Sequence, residues 1–192
     1  MTDAPRHQID TERLLRVDPA TLDRDSLIRF ARDLQRALGG ETLPAPKVET
    51  RAAQASFAEQ TGPGAYTLTF DGGSKGNPGL GYGSYEIDGP HGVEAANRME
   101  FGHNMTNNQA EFLALIAGVR RILELTNGDA GASSLAIRGD SQLVIRGLKG
   151  EWKIKHPNVQ PLYVEAGALL KQFGAVNLMW HPRRESVRTF GH

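Results

Sequence analysis

The chain has 192 residues, with 22 Lys and Arg against 22 Asp and Glu, no Cys and 39% hydrophobic residues. That length suits one domain with its own core plus a short appendage, and the absence of Cys excludes disulfide frameworks, thiolate zinc sites and cysteine nucleophiles. The N-terminus carries no apolar signal-type region and no stretch approaches the roughly 18 apolar residues of a membrane span, so the expectation is a soluble, cytoplasmic protein with no membrane partner.

Net neutrality conceals a gradient. Residues 1–62 hold 9 basic and 10 acidic side chains, residues 63–137 hold 4 and 8, and residues 138–192 hold 9 and 4. A basic C-terminal third beside an acidic middle says more about partners than the total does.

The first periodic segment is 20–38, where Leu22, Leu27, Phe30, Ala31, Leu34 and Leu38 fall near a 3.6 period and Gly39-Gly40 supplies a stop. This predicts one amphipathic helix in an N-terminal extension, 1–40, with a face for the body of the protein, a partner or a second copy. Residues 41–64 mix Pro, Ala, Gly and polar residues without a sustained period and read as a linker to the main domain, 65–192.

From residue 65 the period becomes two. Tyr66, Leu68 and Phe70 alternate with Thr67 and Thr69 and predict a half-buried strand ending in Asp71. Two more strands follow at 81–88 and 93–103, separated by the turn Gly89-Pro90-His91-Gly92, which suggests an antiparallel meander. Residues 107–126 switch to a helical period with Thr106 or Asn107 as cap and Asn127-Gly128 as stop. A short strand at 134–140 ends in Asp140; helices at 141–148 and 158–173 and a last strand at 175–181 complete the order. Three meander strands and two later strands separated by helices imply an α/β fold, a mixed sheet covered by helices.

Acids at Asp71, in the first turns of the long helix at Glu111, and at Asp140 can converge, because sites in open α/β sheets collect outside strand C-termini. Each alone has an ordinary reading as a capping or turn acid; three in matching context point to a shared site. Their surroundings are Phe70-Asp71-Gly72-Gly73-Ser74-Lys75-Gly76-Asn77-Pro78-Gly79, then Thr106-Asn107-Asn108-Gln109-Ala110-Glu111, then Gly139-Asp140-Ser141-Gln142-Leu143-Val144.

On these motifs the chain resembles the type 1 ribonuclease H family over about residues 65–185. The resemblance implies a ribonuclease H-like catalytic domain whose five-stranded mixed sheet, three antiparallel strands then two parallel, is flanked by helices. It implies an endonuclease that hydrolyses the RNA strand of RNA/DNA hybrids, leaving 5′-phosphate and 3′-hydroxyl ends. Asp71, Glu111 and Asp140 would be the catalytic residues and would hold two divalent cations, Mg²⁺ or Mn²⁺, with Asp71 bridging them. Hard cations of this kind prefer carboxylate oxygen, and a pair roughly 3.5–4 Å apart can activate water and stabilise a leaving oxygen.

Substrate contacts are expected from Gly72 and Gly73, read as part of a tight turn approached closely by backbone, and from Ser74, Asn77, Thr106, Asn107 and Asn108, whose neutral donors and acceptors suit 2′-hydroxyls and phosphates. Trp152 and Lys153, within a basic stretch that also holds Lys149 and Lys155, are placed for the DNA backbone. The longer basic protrusion of some family members is missing. His91, His103 and His156 read as surface residues.

The resemblance breaks at the C-terminal end. Laying Pro182-Arg183 on the family's final segment puts Ser186 at its Asn and Phe190 at the position of a fourth carboxylate. Three substitutes stand open: His192 as a ligand, which would bring a Mn²⁺ preference; Glu185 folding back; or three acids completed by substrate phosphate. The alternative from another class is a catalytically impaired nucleic-acid-binding module of the same fold. A related integrase or transposase nuclease is disfavoured by the segment from Thr106 to Glu111.

Overall fold

The computed structural model describes residues 64–191. The chain divides between Pro44 and Ala45, and these residues belong to its second part. The amphipathic helix expected at 20–38, the linker up to residue 63 and His192 lie outside the described residues.

The elements run β1 (Ala65–Gly76), β2 (Gly79–Gly89), β3 (Gly92–Met105), α1 (Asn107–Leu125), a 3-10 turn (Ala130–Ala132), β4 (Ser134–Gly139), α2 (Gln142–Leu148), α3 (Gln160–Leu170), β5 (Ala175–Trp180) and α4 (Arg183–Phe190). One five-stranded sheet has the order β3-β2-β1-β4-β5. β1, β2 and β3 pair antiparallel, whereas β4 pairs parallel with both β1 and β5. This is the mixed sheet expected from the order of the periods. No helix among the described residues is long and apolar enough to cross a membrane.

β1 is the central strand, and its alternation decides which face is dry. Leu68 and Phe70 are fully buried with Ile87, Phe112, Leu115, Ile122, Ile137 and Leu178 in one apolar cluster. Two glycines let the layers approach: Gly118 of α1 sits against the Leu68 side chain, and the Phe70 ring lies over Gly139 of the neighbouring strand. Phe112 and Tyr163 meet edge to face with centroids 6.3 Å apart, joining α1 to α3. Thr69 alternates with Leu68 and Phe70, so it faces the opposite side of the sheet, where α4 packs.

One expectation is corrected here, and one element is added. Asp71 does not end the first strand: β1 continues to Gly76, because Gly72, Gly73 and Ser74 hold regular register with Gly83, Tyr82 and Gly81 of β2. The glycine-rich stretch is therefore ladder, and the reversal falls at Asn77-Pro78, whose peptide bond is cis. The added element is the helix α4, for which the sequence shows no clear apolar period. Ser186 is its one fully covered residue, while Arg184, Val187, Arg188 and Thr189 are exposed.

Candidate active site

Asp71, Glu111 and Asp140 come from β1, from the second turn of α1 and from the residue after β4. Close backbone packing draws the first two together. A Cβ built on Gly72 would stand 2.5 Å from the carbonyl carbon of Ala110 and from the amide nitrogen of Glu111. Only a glycine lets β1 pass α1 at this distance, so Gly72 works by admitting the helix rather than by forming a turn beside a ligand. Gly72→Ala is expected to lower stability by about 1–3 kcal/mol through overpacking and to reduce activity by moving Glu111 from Asp71. Urea unfolding paired with an activity assay measures both; an unchanged midpoint would show that α1 shifts freely.

Asp71 is 1% exposed, and its Oδ1 accepts the Gly72 N–H at 2.9 Å. Asp140 is held from behind: the Trp180 indole N–H donates to its carbonyl at 2.9 Å, and the His181 N–H donates to the Gly139 carbonyl at 3.1 Å. Ser141 caps α2 by accepting the Val144 N–H at 3.4 Å. Its hydroxyl also lies near enough to the Glu111 carboxylate to favour the charged form.

Phe70 and Gly139 are register partners, so Asp71 and Asp140 follow on adjacent strands. Glu111 is pushed up from 4.5 to about 8, first by burial and then by the charges of Asp140 and Asp71, against the lowering effects of Ser141 and Arg183. Glu111 Oε2 and Asp140 Oδ2 are buried without a hydrogen-bond partner. The nearest cation to Asp140 is Arg183 of α4, with Nη1 3.7 Å from Oδ2. Among the described residues, no group of three or more His, Asp or Glu side chains stands arranged to hold one metal ion. The donor set nonetheless fits hard divalent cations, since it is carboxylate oxygen with partnerless buried atoms and excess negative charge.

The polar residues expected to touch substrate form a second group around the N-terminus of α1. The Ser74 N–H donates to Asn107 Oδ1 at 2.8 Å and the Ser74 hydroxyl to the Met105 carbonyl at 2.7 Å, while the Asn107 N–H donates to Asn77 Oδ1 at 3.1 Å. Thr106 is the N-cap and forms a capping box with Gln109. These bonds tie the β1–β2 hairpin to α1. Gly73 lies under the Tyr82 ring, and Asn108 is exposed.

Trp152 and Lys153 are not brought to the acids; they follow α2, about 10 Å of helix away from Asp140. Trp152 is 40% exposed and its ring lies 5.2 Å from the Arg146 guanidinium carbon, a cation–π contact, with buried Ile154 anchoring the segment. Glu185 does not turn into the site: its Oε2 lies 3.4 Å from Arg138 Nη2 and 4.0 Å from His181 Nδ1. Phe190 occupies the last turn of α4.

Arg183, Ser141 and Trp180 stand next to the acids without having been singled out as site residues. Ser141 had a signal, the Asp-Ser step at a strand-to-helix junction, which is an N-cap pattern. Arg183 and Trp180 had none, because their positions depend on how α4 and β5 meet β4.

A family described as reverse transcriptase-like matches residues 70–188. A bifunctional protein of Mycobacterium tuberculosis is 42% identical over 118 residues, 61% of this chain but 31% of that protein. Its N-terminal RNase H domain, solved as a fusion with maltose-binding protein, superposes with a TM-score of 0.58 at 36% identity, covering 65% of this chain and 86% of that one. A ribonuclease HI of Halobacterium salinarum is 37% identical over 120 residues, 62% of this chain and 57% of that protein. The structure of RNase H1 from that archaeon has a TM-score of 0.56 at 36% identity, over 65% of this chain and 91% of the other. LC11-RNase H1, solved in complex with an RNA/DNA hybrid, has a TM-score of 0.59 at 23% identity, over 64% and 89% of the two chains, a likeness of fold.

Proposed function

The chain belongs to the type 1 ribonuclease H family, and from that premise we propose that it is an endonuclease hydrolysing the RNA strand of RNA/DNA hybrids. The observation that carries the proposal is the placement of three acids at one end of the sheet: Asp71 and Asp140 follow the register partners Phe70 and Gly139, and Gly72 admits the Glu111 backbone beside them. Such a cluster is costly without a cation, and a protein that only bound phosphate would be hindered by it.

Asp71, Glu111 and Asp140 would hold two divalent cations, Mg²⁺ or Mn²⁺, which when bound supply Lewis acidity at the attacking water and at the leaving 3′ oxygen. The protein's own part is to hold the three carboxylates on rigid elements. The Gly72 amide fixes Asp71, the Trp180 indole fixes the turn that carries Asp140, and α1 carries Glu111. Water adds at phosphorus and the P–O3′ bond breaks, leaving a 5′-phosphate and a 3′-hydroxyl. Arg183 sets a fixed positive charge beside the acids, and the exposed Asn108 with the α1 N-terminus offers donors to phosphate and 2′-hydroxyl oxygen. Trp152 and Lys153 would lie under the DNA backbone.

A labelled RNA/DNA hybrid is expected to be cut in Mg²⁺ or Mn²⁺ and left intact in EDTA, while duplex DNA, duplex RNA and single-stranded RNA survive. Hybrid that is bound tightly but never cut would replace this reading with that of a binding module.

A further inference from the structure

Between the sheet and α4 lies a cleft of about 640 Å³ that the proposed hydrolysis does not use. Its floor is Thr69 of β1 and Arg138 of β4, which are register partners on adjacent parallel strands. Its wall is the Arg184, Glu185 and Arg188 face of α4, with His181 at the junction of strand and helix. The volume falls within the range of small-ligand sites, roughly 300–1,000 Å³.

The charge around this cleft is unbalanced. Glu185 is shared between Arg138 and His181. Arg184 and Arg188 are exposed and take part in no ion pair or hydrogen bond among the described residues. One turn apart on α4, they present two guanidinium forks toward the same space. Like charges so placed repel one another unless an anion lies between them, and the planar fork matches phosphate oxygen in pairs. The Thr69 hydroxyl adds a donor on the floor. Apolar surface suited to a purine or a lipid chain is not what these residues supply; the recognised group is phosphate.

We infer that the cleft beneath α4 is a binding site for a phosphate group, on a free small molecule or at a 5′-phosphorylated strand end, held by the unpaired Arg184 and Arg188. None of the three acids lines the cleft, which opens on the same face of the sheet; Thr69 and Arg138 lie two residues, about 7 Å, back along their strands from Asp71 and Asp140. It does not depend on the hydrolytic reading.

Isothermal titration of the full chain in EDTA tests this with four probes: a nucleoside 5′-monophosphate, the same nucleoside without phosphate, inorganic phosphate, and a 5′-phosphorylated single-stranded oligonucleotide. One saturable site is expected for the monophosphate and for inorganic phosphate alike, and none for the nucleoside. The double variant Arg184→Gln/Arg188→Gln should lose about tenfold or more in affinity, and the Lys pair should recover part of it. Thermal melts of each variant establish that the fold is kept, as exposed and unpaired side chains allow. Oligonucleotide binding that competes with the monophosphate assigns the strand end as a source; its absence assigns a free phosphate compound. Nucleoside binding as tightly as the monophosphate, no saturation at millimolar concentration, or affinity indifferent to the arginines would overturn the inference.

Discussion

Asp71→Asn is expected to reduce the turnover of an RNA/DNA hybrid by about a thousandfold or more while changing hybrid affinity by less than about threefold. The side chain is buried at the centre of the sheet and has nearly the shape of asparagine, whose Oδ1 can still accept the Gly72 N–H, so the fold has no reason to change. What is lost is one of the negative charges that the proposed pair of hard cations would require. Removing it also relieves Glu111, so the variant should be no less stable than the parent. Single-turnover cleavage and filter binding separate the two effects, and retained turnover would remove the central claim about the site.

The second large effect is a change in how stability depends on pH. Because the Glu111 carboxyl is pushed up to about 8 in the folded protein from an ordinary 4.5, the folded state keeps a proton that the unfolded chain has released. The stability this proton contributes is fully present below about pH 4.5. It is lost as pH rises through about 8, at about 1.4 kcal/mol per pH unit inside the window. Glu111→Gln removes the titrating group and should flatten that part of the profile. The variant should melt at least about 4 °C higher than the parent at pH 8 in EDTA. Added Mg²⁺ should stabilise the parent at pH 8 and leave the variant unmoved, since binding to the folded state alone raises apparent stability. Melts from pH 5 to 9 with and without metal test this; parallel profiles for the two proteins would mean that Glu111 is not held by its neighbours as described.

Much of this architecture was legible in the order of the periods. Tyr66, Leu68 and Phe70 mark the central strand, the 3.6 period from Ala110 to Leu125 marks the long helix, and three acids at the junctions mark where a site gathers. The errors have local causes. Glycine carries no side chain to alternate, so β1 could not be followed past Asp71, although Gly72 and Gly73 pair regularly with β2. The last helix was missed because only Ser186 of its residues is fully covered, and a helix facing a polar cleft needs little apolar period. The contacts of Arg183 and Trp180 with the Asp140 turn depend on the crossing of elements distant in the chain, which no local pattern encodes.

The parallel pairing of β1 with β4 also bears on how the site comes into being. Those strands are joined through two further strands and the long helix, and the ladder between them closes a loop of that whole length. The hairpin formed by β1 and β2 can close early because its contacts are local. The β1–β4 ladder carries a large loop-closure entropy and belongs to the slow, non-local part of assembly. Asp71 and Asp140 sit on opposite sides of that ladder. A chain that has collapsed and formed its hairpins has therefore not yet brought Asp71 and Asp140 together, and under the proposed function it would gain cation affinity only once β4 pairs with β1.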